Sequence, residues 1–296
     1  MHDIPPAEDL IVLRQALAER DDEVASLRSE LEETNRGVVA LYAELDAQAD
    51  EVRRSTELKS RFLSYMSHEF RTPIGSIRSI ARLLMDRVDG PLTAGQETQV
   101  RFIQETSAEF SEMVDDLLDL AKVEAGRVEI SPAWFEMVDL FSALRGMFKP
   151  VLTNPDVVLL FEEPHDVPAL YNDDRKLAQI LRNFISNALK FTAKGEVRVS
   201  AWRDGDRVTF AVADTGIGIV PELQPAIFQD FVQIDSPIQK RLRGTGLGLS
   251  LSKRLAELLG GSVALQSEAD VGSTFSVTLP LRVEGAGAPP APPARS

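Results

Sequence analysis

The chain has 296 residues, of which 44% are hydrophobic, and a formal net charge of −14 at pH 7. This length exceeds one ordinary hydrophobic core, so the composition predicts two folded units plus an extended segment. The acidic balance argues against a nucleic-acid binder and against a polybasic membrane anchor. A protein partner or a small ligand is therefore the favoured class of binding partner.

The absence of cysteine excludes disulfides and thiolate metal sites and suits a reducing compartment. The sequence contains no run of about 18 apolar residues, and its first residues do not have the pattern of a signal peptide. We therefore expect a cytoplasmic protein with no membrane insertion.

The first 55 residues carry a seven-residue apolar repeat, which predicts a coiled coil over residues 1–55. The main row of the repeat consists of Leu10, Leu17, Val24, Leu31, Val38, Leu45 and Val52. A second row, typical of a weak dimer seam, is interrupted by Arg20, Thr34, Gln48 and Ser55. The alternative, one amphipathic helix packed on its own domain, is disfavoured by the strict period.

Two helical patterns, at residues 56–87 and 96–124, predict a helical hairpin over residues 56–126. Gly90 and Pro91 mark the turn between them, and Thr93 can cap the second helix. Two antiparallel helices cannot bury both apolar faces alone, so we expect a homodimer in which two hairpins form a four-helix bundle.

Strand and helix patterns then alternate over residues 127–283, which predicts a layered α/β sandwich. The predicted strands are residues 128–130, 157–161, 196–202, 207–213, 262–267 and 274–279. The predicted helices are residues 138–152, 174–191 and 247–259. The last segment, residues 284–296, is rich in Gly, Ala and Pro and is expected to be a disordered tail.

His68 lies in the first hairpin helix. Counting about 100° per residue from Phe70 puts His68 about 160° from the apolar stripe, so its ring faces water. Glu69 is adjacent, and Thr72 lies one turn later. A neutral imidazole keeps a lone pair on one ring nitrogen while a carboxylate orients the proton on the other, as a phosphoryl acceptor requires. The alternative is an ordinary solvated histidine.

The α/β segment carries polar and glycine-rich motifs that suit a nucleotide. Asn183, Asn187 and Lys190 share one predicted helix, where an amide oxygen suits Mg²⁺, although such asparagines are more often surface residues. A second motif is predicted at the end of a strand. It combines a carboxylate with glycines, whose backbone can approach a flat ring closely. The residues of this second motif are Asp214, Gly216 and Gly218.

Three glycines directly precede the last predicted helix: Gly244, Gly246 and Gly248. Their position suits phosphate binding by backbone N–H groups at a helix N-terminus. Neither a P-loop nor a dinucleotide fingerprint is present. The segment before them, residues 221–243, is predicted to be a mobile lid, with Phe228 and Phe231 either pinning it or belonging to the core.

Together these motifs resemble those of the sensor histidine kinases of two-component signalling. "SHEFRTPI" is similar to their phosphoacceptor box, "NFISNALKFT" to their asparagine box, and "DTGIG" to their first glycine box. "IFQDF" is similar to their phenylalanine box and "RGTGLGL" to their second glycine box. The resemblance covers residues 56–281 and implies an ATP-binding domain of the type shared with gyrase and Hsp90.

The resemblance implies a transferase that uses ATP and Mg²⁺, with His68 as phosphoacceptor and Glu69 as the neighbouring acid/base. Thr72 would position water for dephosphorylating a response regulator. Asn187 would be the Mg²⁺ ligand, and Asp214 would contact the adenine amino group. The implied partners are a second copy of the chain, a response regulator that accepts the phosphoryl group on an aspartate, and an upstream sensor protein.

Two other classes of function stay open at the level of sequence. A regulatory ATPase or serine kinase that switches a bound partner would need the nucleotide motifs but not the motif around His68. A non-catalytic coiled-coil scaffold would account for the first residues and leave the ordered glycine and asparagine motifs without an explanation.

Overall fold

The computed structural model describes residues 7–88, 90–150, 152, 154–164, 166–232 and 246–283. The chain divides into two compact units, Met1–Lys59 and Ser60–Ser296. No helix in the described part of the chain is long and apolar enough to cross a membrane. The predicted tail at residues 284–296 lies outside the described residues.

Helix α1 (Ala7–Met85) contains the heptad repeat and the first predicted hairpin helix without a break. The described side chains of the main heptad row are exposed in the single chain: Leu17, Val24, Leu31, Val38, Leu45 and Val52. A row of exposed apolar side chains along one helix is what a coiled-coil seam requires.

Helix α2 (Ala94–Glu124) begins at the predicted cap. The backbone N–H of Gln96 donates to the Thr93 hydroxyl at 3.3 Å, and the backbone N–H of Thr93 donates to the Gln96 side chain at 2.9 Å. This reciprocal capping box satisfies two N–H groups at the helix N-terminus. Phe70 of α1 packs against Phe110 of α2, with ring centroids 5.9 Å apart, so the two helices contact near the middle of the hairpin.

A five-stranded mixed sheet forms the centre of the segment that follows the hairpin. Its strand order is β2 (Val157–Phe161), β4 (Gly195–Asp204), β5 (Arg207–Asp214), β7 (Gly272–Pro280) and β6 (Ser262–Glu268). Strands β2 and β4 are parallel and the other neighbours are antiparallel. Gly205, with φ of 63°, lies in the tight turn between β4 and β5.

Three helices pack on this sheet: α3 (Met137–Phe148), α4 (Asp174–Phe191) and α5 (Gly248–Leu258). Alternate residues of the strands point into the layer between sheet and helices, and Phe184 of α4 and Phe210 of β5 are fully buried there. The predicted layered α/β architecture is confirmed. Helix α4 begins where the Asp173 side chain accepts a hydrogen bond from the backbone N–H of Lys176 at 3.0 Å.

A small two-stranded sheet pairs β1 (Ala133–Phe135) with β3 (Leu170–Asn172), and neither strand was predicted. The strand predicted at residues 128–130 was wrong. The backbone N–H of Ser131 donates to the Asp173 carboxylate at 2.9 Å, so a side chain positions this stretch in place of a neighbouring strand.

Helix α3 ends at Phe148, whereas the helical pattern was predicted to reach residue 152. Pro150 has no backbone N–H to continue the ladder of helical hydrogen bonds. The other helices and the strands of the large sheet lie within a few residues of their predicted bounds.

Candidate functional site

His68 lies on the surface of α1, and its side chain is exposed, as is that of Glu69. The Thr72 hydroxyl donates to the backbone carbonyl of His68 at 3.3 Å. Pro73 lies inside the helix and cannot donate to the carbonyl of Glu69, four residues earlier. The imidazole and the carboxylate are therefore both accessible on a helical turn that lacks one backbone hydrogen bond.

An ion pair joins the two hairpin helices close to this turn. A guanidinium nitrogen of Arg71 lies 2.5 Å from a carboxylate oxygen of Asp115 on α2. Both side chains are more than half exposed, so the pair contributes at most about 1 kcal/mol to stability. The sequence motifs did not indicate this contact.

Asn183 and Asn187 lie one turn apart on α4 and are partly buried. The Asn187 amide NH₂ donates to Oδ1 of Asn183 at 3.3 Å, and the Asn183 NH₂ donates to Oγ of Ser252 on α5 at 2.8 Å. The two predicted asparagines are thus linked to each other and to α5. Ser252 was not predicted, because a serine inside a helix carries no distinctive pattern.

Lys190 lies in the last turn of α4 and is partly buried. Burial lowers the pKa of Lys190, and the negative charge of Glu109 on α2 partly opposes that shift. Its ammonium nitrogen lies 5.4 Å from the ring centroid of Phe191. A partly desolvated amine therefore lies at this end of α4.

Asp214 is the last residue of β5, as predicted. Burial raises the pKa of the Asp214 carboxyl, while hydrogen bonds from the backbone N–H groups of Gly216 and Ser273 act in the opposite direction. The N–H of Gly216 donates to Oδ1 of Asp214 at 2.8 Å. The Asp214 carboxylate is therefore a partly desolvated hydrogen-bond acceptor that backbone N–H groups hold in position.

The predicted glycines make close backbone contacts. A Cβ on Gly216 would lie 2.5 Å from the carbonyl oxygen of Phe191, and a Cβ on Gly218 would overlap the carbonyl of Glu268. A Cβ on Gly248 would overlap Oδ1 of Asn183, so the absence of a side chain lets α5 approach α4 closely.

The predicted lid is described only in part. Gly244 lies outside the described residues, as do Lys240, Arg241 and Arg243. Phe228 packs against Phe275 of the core, with ring centroids 6.5 Å apart.

Phe231 behaves differently from Phe228. It is 65% exposed, and its backbone N–H donates to the carbonyl of Gly246 at 3.1 Å. Of the two predicted phenylalanines, only Phe228 is therefore a core residue, and the backbone of Phe231 contacts the second glycine motif.

Arg254 of α5 joins three parts of the second unit. Its guanidinium nitrogens lie 2.6 Å from Glu124 at the end of α2 and 2.8 Å from Asp230 of the "IFQDF" motif. Gln179 of α4 also donates to Asp119 of α2 at 2.9 Å. Sequence reasoning did not single out these residues, because nothing local marks a partner so distant along the chain.

The donor set around α4, β5 and α5 suits a magnesium nucleotide. Asp214 can accept a hydrogen bond from an amino group on a flat ring, and the N–H of Gly216 helps to position its carboxylate. The amide oxygen of Asn187 is a ligand type that Mg²⁺ accepts together with phosphate oxygens and water. Among the described residues no cluster of acidic or histidine side chains could hold a metal alone.

Comparison with known proteins identifies two family matches. Residues 58–126 match the His kinase A (phospho-acceptor) domain. Residues 172–283 match the histidine kinase-, DNA gyrase B- and HSP90-like ATPase family.

Among relatives, the circadian input-output histidine kinase CikA of Synechococcus elongatus is 38% identical over 225 residues, covering 75% of this chain and 30% of CikA. The autoinducer 2 sensor kinase/phosphatase LuxQ of Vibrio harveyi is 34% identical over 239 residues, covering 78% of this chain and 28% of LuxQ. The chain therefore spans less than a third of the length of these two relatives.

The crystal structure of full-length ShkA in complex with AMPPNP aligns with a TM-score of 0.62 and 34% sequence identity. The alignment covers 74% of this chain and 45% of ShkA. The family matches, the sequence relatives and this structural neighbour agree with the motifs, and the chain belongs to the sensor histidine kinase family.

Proposed function

We propose that the chain is an ATP-dependent protein-histidine kinase that phosphorylates His68 and passes the phosphoryl group to an aspartate of a response regulator. The observation that carries the proposal is the presence in one unit of an exposed His68–Glu69 pair and a nucleotide-type site built on Asn187 and Asp214. A scaffold protein would need neither of them.

In the proposed reaction, a ring nitrogen of His68 attacks the γ-phosphorus of ATP, and the bond from that phosphorus to the β–γ bridging oxygen breaks to release ADP. The proton on the other ring nitrogen passes to the Glu69 carboxylate. Exposure of His68 suits this role because two different partners, the nucleotide and the regulator, must reach the same imidazole.

For the nucleotide, we propose that Asp214 accepts from the adenine amino group and that Gly216 and Gly218 permit close approach of the base. Gly246 and Gly248, with Gly244 outside the described residues, would bind phosphates. When bound through Asn187, Mg²⁺ would neutralise charge on the phosphates. Lys190 and Asn183 would line the same cavity, and the AMPPNP in the ShkA complex supports a nucleotide here.

We propose that the active form is a homodimer. In the hairpin of the single chain, large apolar side chains are exposed on both helices, including Ile77, Ile80 and Leu83 of α1 and Phe102 of α2. With the exposed heptad row of α1, these side chains would be buried in a coiled coil and a four-helix bundle. A cytoplasmic location and an upstream sensor protein belong to the same proposal.

A phosphatase activity toward the regulator is the second part of the proposal. Thr72 lies one turn from His68 and carries an exposed hydroxyl that could position water. The name of LuxQ, a sensor kinase/phosphatase, supports such a dual role.

The test is incorporation of label from γ-labelled Mg-ATP into the purified chain, beside the variants His68→Gln and Asn187→Ala. We expect label in the wild-type chain and none in either variant, with circular dichroism showing all three folded. Label in a folded His68→Gln protein at the wild-type level would favour a serine kinase or another acceptor.

A further inference from the structure

Three side-chain hydrogen bonds run in series from α4 to α5. Asn187 donates to Asn183 at 3.3 Å, Asn183 donates to Ser252 at 2.8 Å, and the Ser252 hydroxyl donates to the carbonyl of Gly248 at 2.8 Å. The series begins at the proposed Mg²⁺ ligand and ends at a backbone group of the first turn of α5.

The direction of the whole series is set at its backbone end. The carbonyl oxygen of Gly248 can only accept, so the Ser252 hydroxyl donates its one proton there. Toward Asn183 the same hydroxyl can therefore only accept a hydrogen bond. Asn183 therefore turns its NH₂ group toward Ser252 and its oxygen toward Asn187. Asn187 must in turn point its NH₂ group at that oxygen, which leaves Oδ1 of Asn187 on the other side of its amide.

Burial makes the arrangement specific. Ser252 is only 2% exposed, so its hydroxyl has little access to water as a replacement partner. Gly248 also permits the contact sterically, because a Cβ at this position would overlap Oδ1 of Asn183. The second glycine motif and the asparagine motif therefore interlock at this point.

We propose that Ser252 is a positioning residue for Asn187: acting through Asn183, it orients the Asn187 amide so that the oxygen, and not the NH₂ group, faces the divalent cation of a magnesium nucleotide. The inference rests on the proposed function, in which Asn187 is the cation ligand. A reversed amide would direct two N–H donors at the cation, whereas Mg²⁺ binds oxygen.

The experiment measures AMPPNP affinity of the full chain by calorimetry, with Mg²⁺ and with EDTA, for Ser252→Ala and for the matched control Ser250→Ala. Ser250 has the same 2% exposure in the same helix, but its hydroxyl donates to the carbonyl of Leu247. We expect Ser252→Ala to reduce the Mg²⁺-dependent gain in affinity about three- to ten-fold. Affinity in EDTA and the effect of Ser250→Ala should be unchanged.

A second test uses the variant Asn187→Asp, in which residue 187 has no amide to orient. In Asn187→Asp both terminal atoms are oxygens, so adding Ser252→Ala should cause no further loss of Mg²⁺-dependent affinity. If Ser252→Ala does not fold, Ser252→Cys retains the volume with a weaker hydrogen-bonding group and should give a smaller loss in the same direction.

Three results would overturn the inference: Ser252→Ala equal to Ser250→Ala, equal losses with Mg²⁺ and with EDTA, or a persisting loss in the Asn187→Asp background. If Asn187→Ala itself leaves Mg²⁺-dependent affinity intact, the proposed ligand role of Asn187 fails, and the inference fails with it. A normal response to Asn187→Ala with none to Ser252→Ala refutes only the role of Ser252.

Discussion

The partly buried carboxylate of Asp214 lowers stability when ionised, yet it is the acceptor in the proposed contact with adenine. Burial raises its pKa above the ordinary value of 3.8, so the folded chain binds this proton more tightly than the unfolded chain. The ionised carboxylate therefore costs stability as pH rises through the raised pKa, and the cost disappears below the ordinary value. The proposed contact with the adenine amino group is a functional reason to retain such a carboxylate.

We predict that Asp214→Asn weakens ATP binding about 10- to 100-fold, because a charge-assisted hydrogen bond is lost. At pH 7 the variant should nevertheless unfold at the same temperature as the wild type or higher, since a partly buried charge is removed. Calorimetric titration and thermal unfolding at pH 7 and at low pH measure the two effects. Lower stability together with unchanged ATP affinity would contradict this account.

At the residue scale, sequence reasoning succeeded where a side chain has a local marker. The exposure of His68 followed from its angle to the apolar stripe, and the position of Asp214 followed from the end of a strand. Ser252 and Arg254 were missed because their importance depends on partners brought close only by folding.

At the scale of elements, the capping box of α2 is a local device whose effect is measurable. We predict that Thr93→Ala lowers the free energy of unfolding by about 1 kcal/mol, because an N–H at the helix N-terminus loses its acceptor. Thr98→Ala is the matched control, since the Thr98 hydroxyl only donates to the carbonyl of Ala94 within the helix. Chemical denaturation measures both, and equal effects would argue against the cap.

Arg254 connects α5 with the end of α2. We predict that Arg254→Ala lowers the free energy of unfolding by about 1–3 kcal/mol, because Asp230 loses its cation while one of its oxygens is already buried without a hydrogen bond. Amide exchange in the last turn of α2 should rise, as Glu124 also loses its contact. The exposed neighbour Lys253→Ala should change neither quantity, and protection unaltered in Arg254→Ala would refute the coupling.

Element boundaries were predictable where a chemical signal stands at the boundary, as Thr93 does for α2. A prediction was wrong where a contact with a residue distant along the chain overrode the local pattern. The segment at residues 128–130 has the apolar alternation of a strand, but the Asp173 carboxylate binds the backbone N–H of Ser131 and the small sheet forms further on. A side-chain acceptor so far along the chain cannot be read from local sequence.

For the whole molecule, the exposed apolar side chains of the hairpin predict self-association. We expect the chain to sediment as a dimer, and Ile77→Glu to shift it toward monomer because a charge would enter the bundle interface. Arg78→Glu changes the adjacent residue, which is already charged and not part of the exposed apolar set, so this control should remain dimeric. A monomeric wild-type chain at micromolar concentration would contradict the proposed homodimer.

The alternation of strand and helix patterns over residues 127–283 predicted the layered architecture, because each pattern marks one element that packs in a layer. These patterns could not predict the contact between α4 and α5, where Asn183, Ser252 and Gly248 meet. That contact depends on the packing of two helices on one sheet, which no single stretch of sequence encodes.

The central claim, that His68 accepts the γ-phosphoryl group of ATP, is tested most directly by locating the label on the chain. After incubation with γ-labelled Mg-ATP, the label should be lost in acid, persist in base, and map by mass spectrometry to the peptide containing His68. Acid-stable label, or label mapped to a serine or threonine elsewhere, would contradict the account.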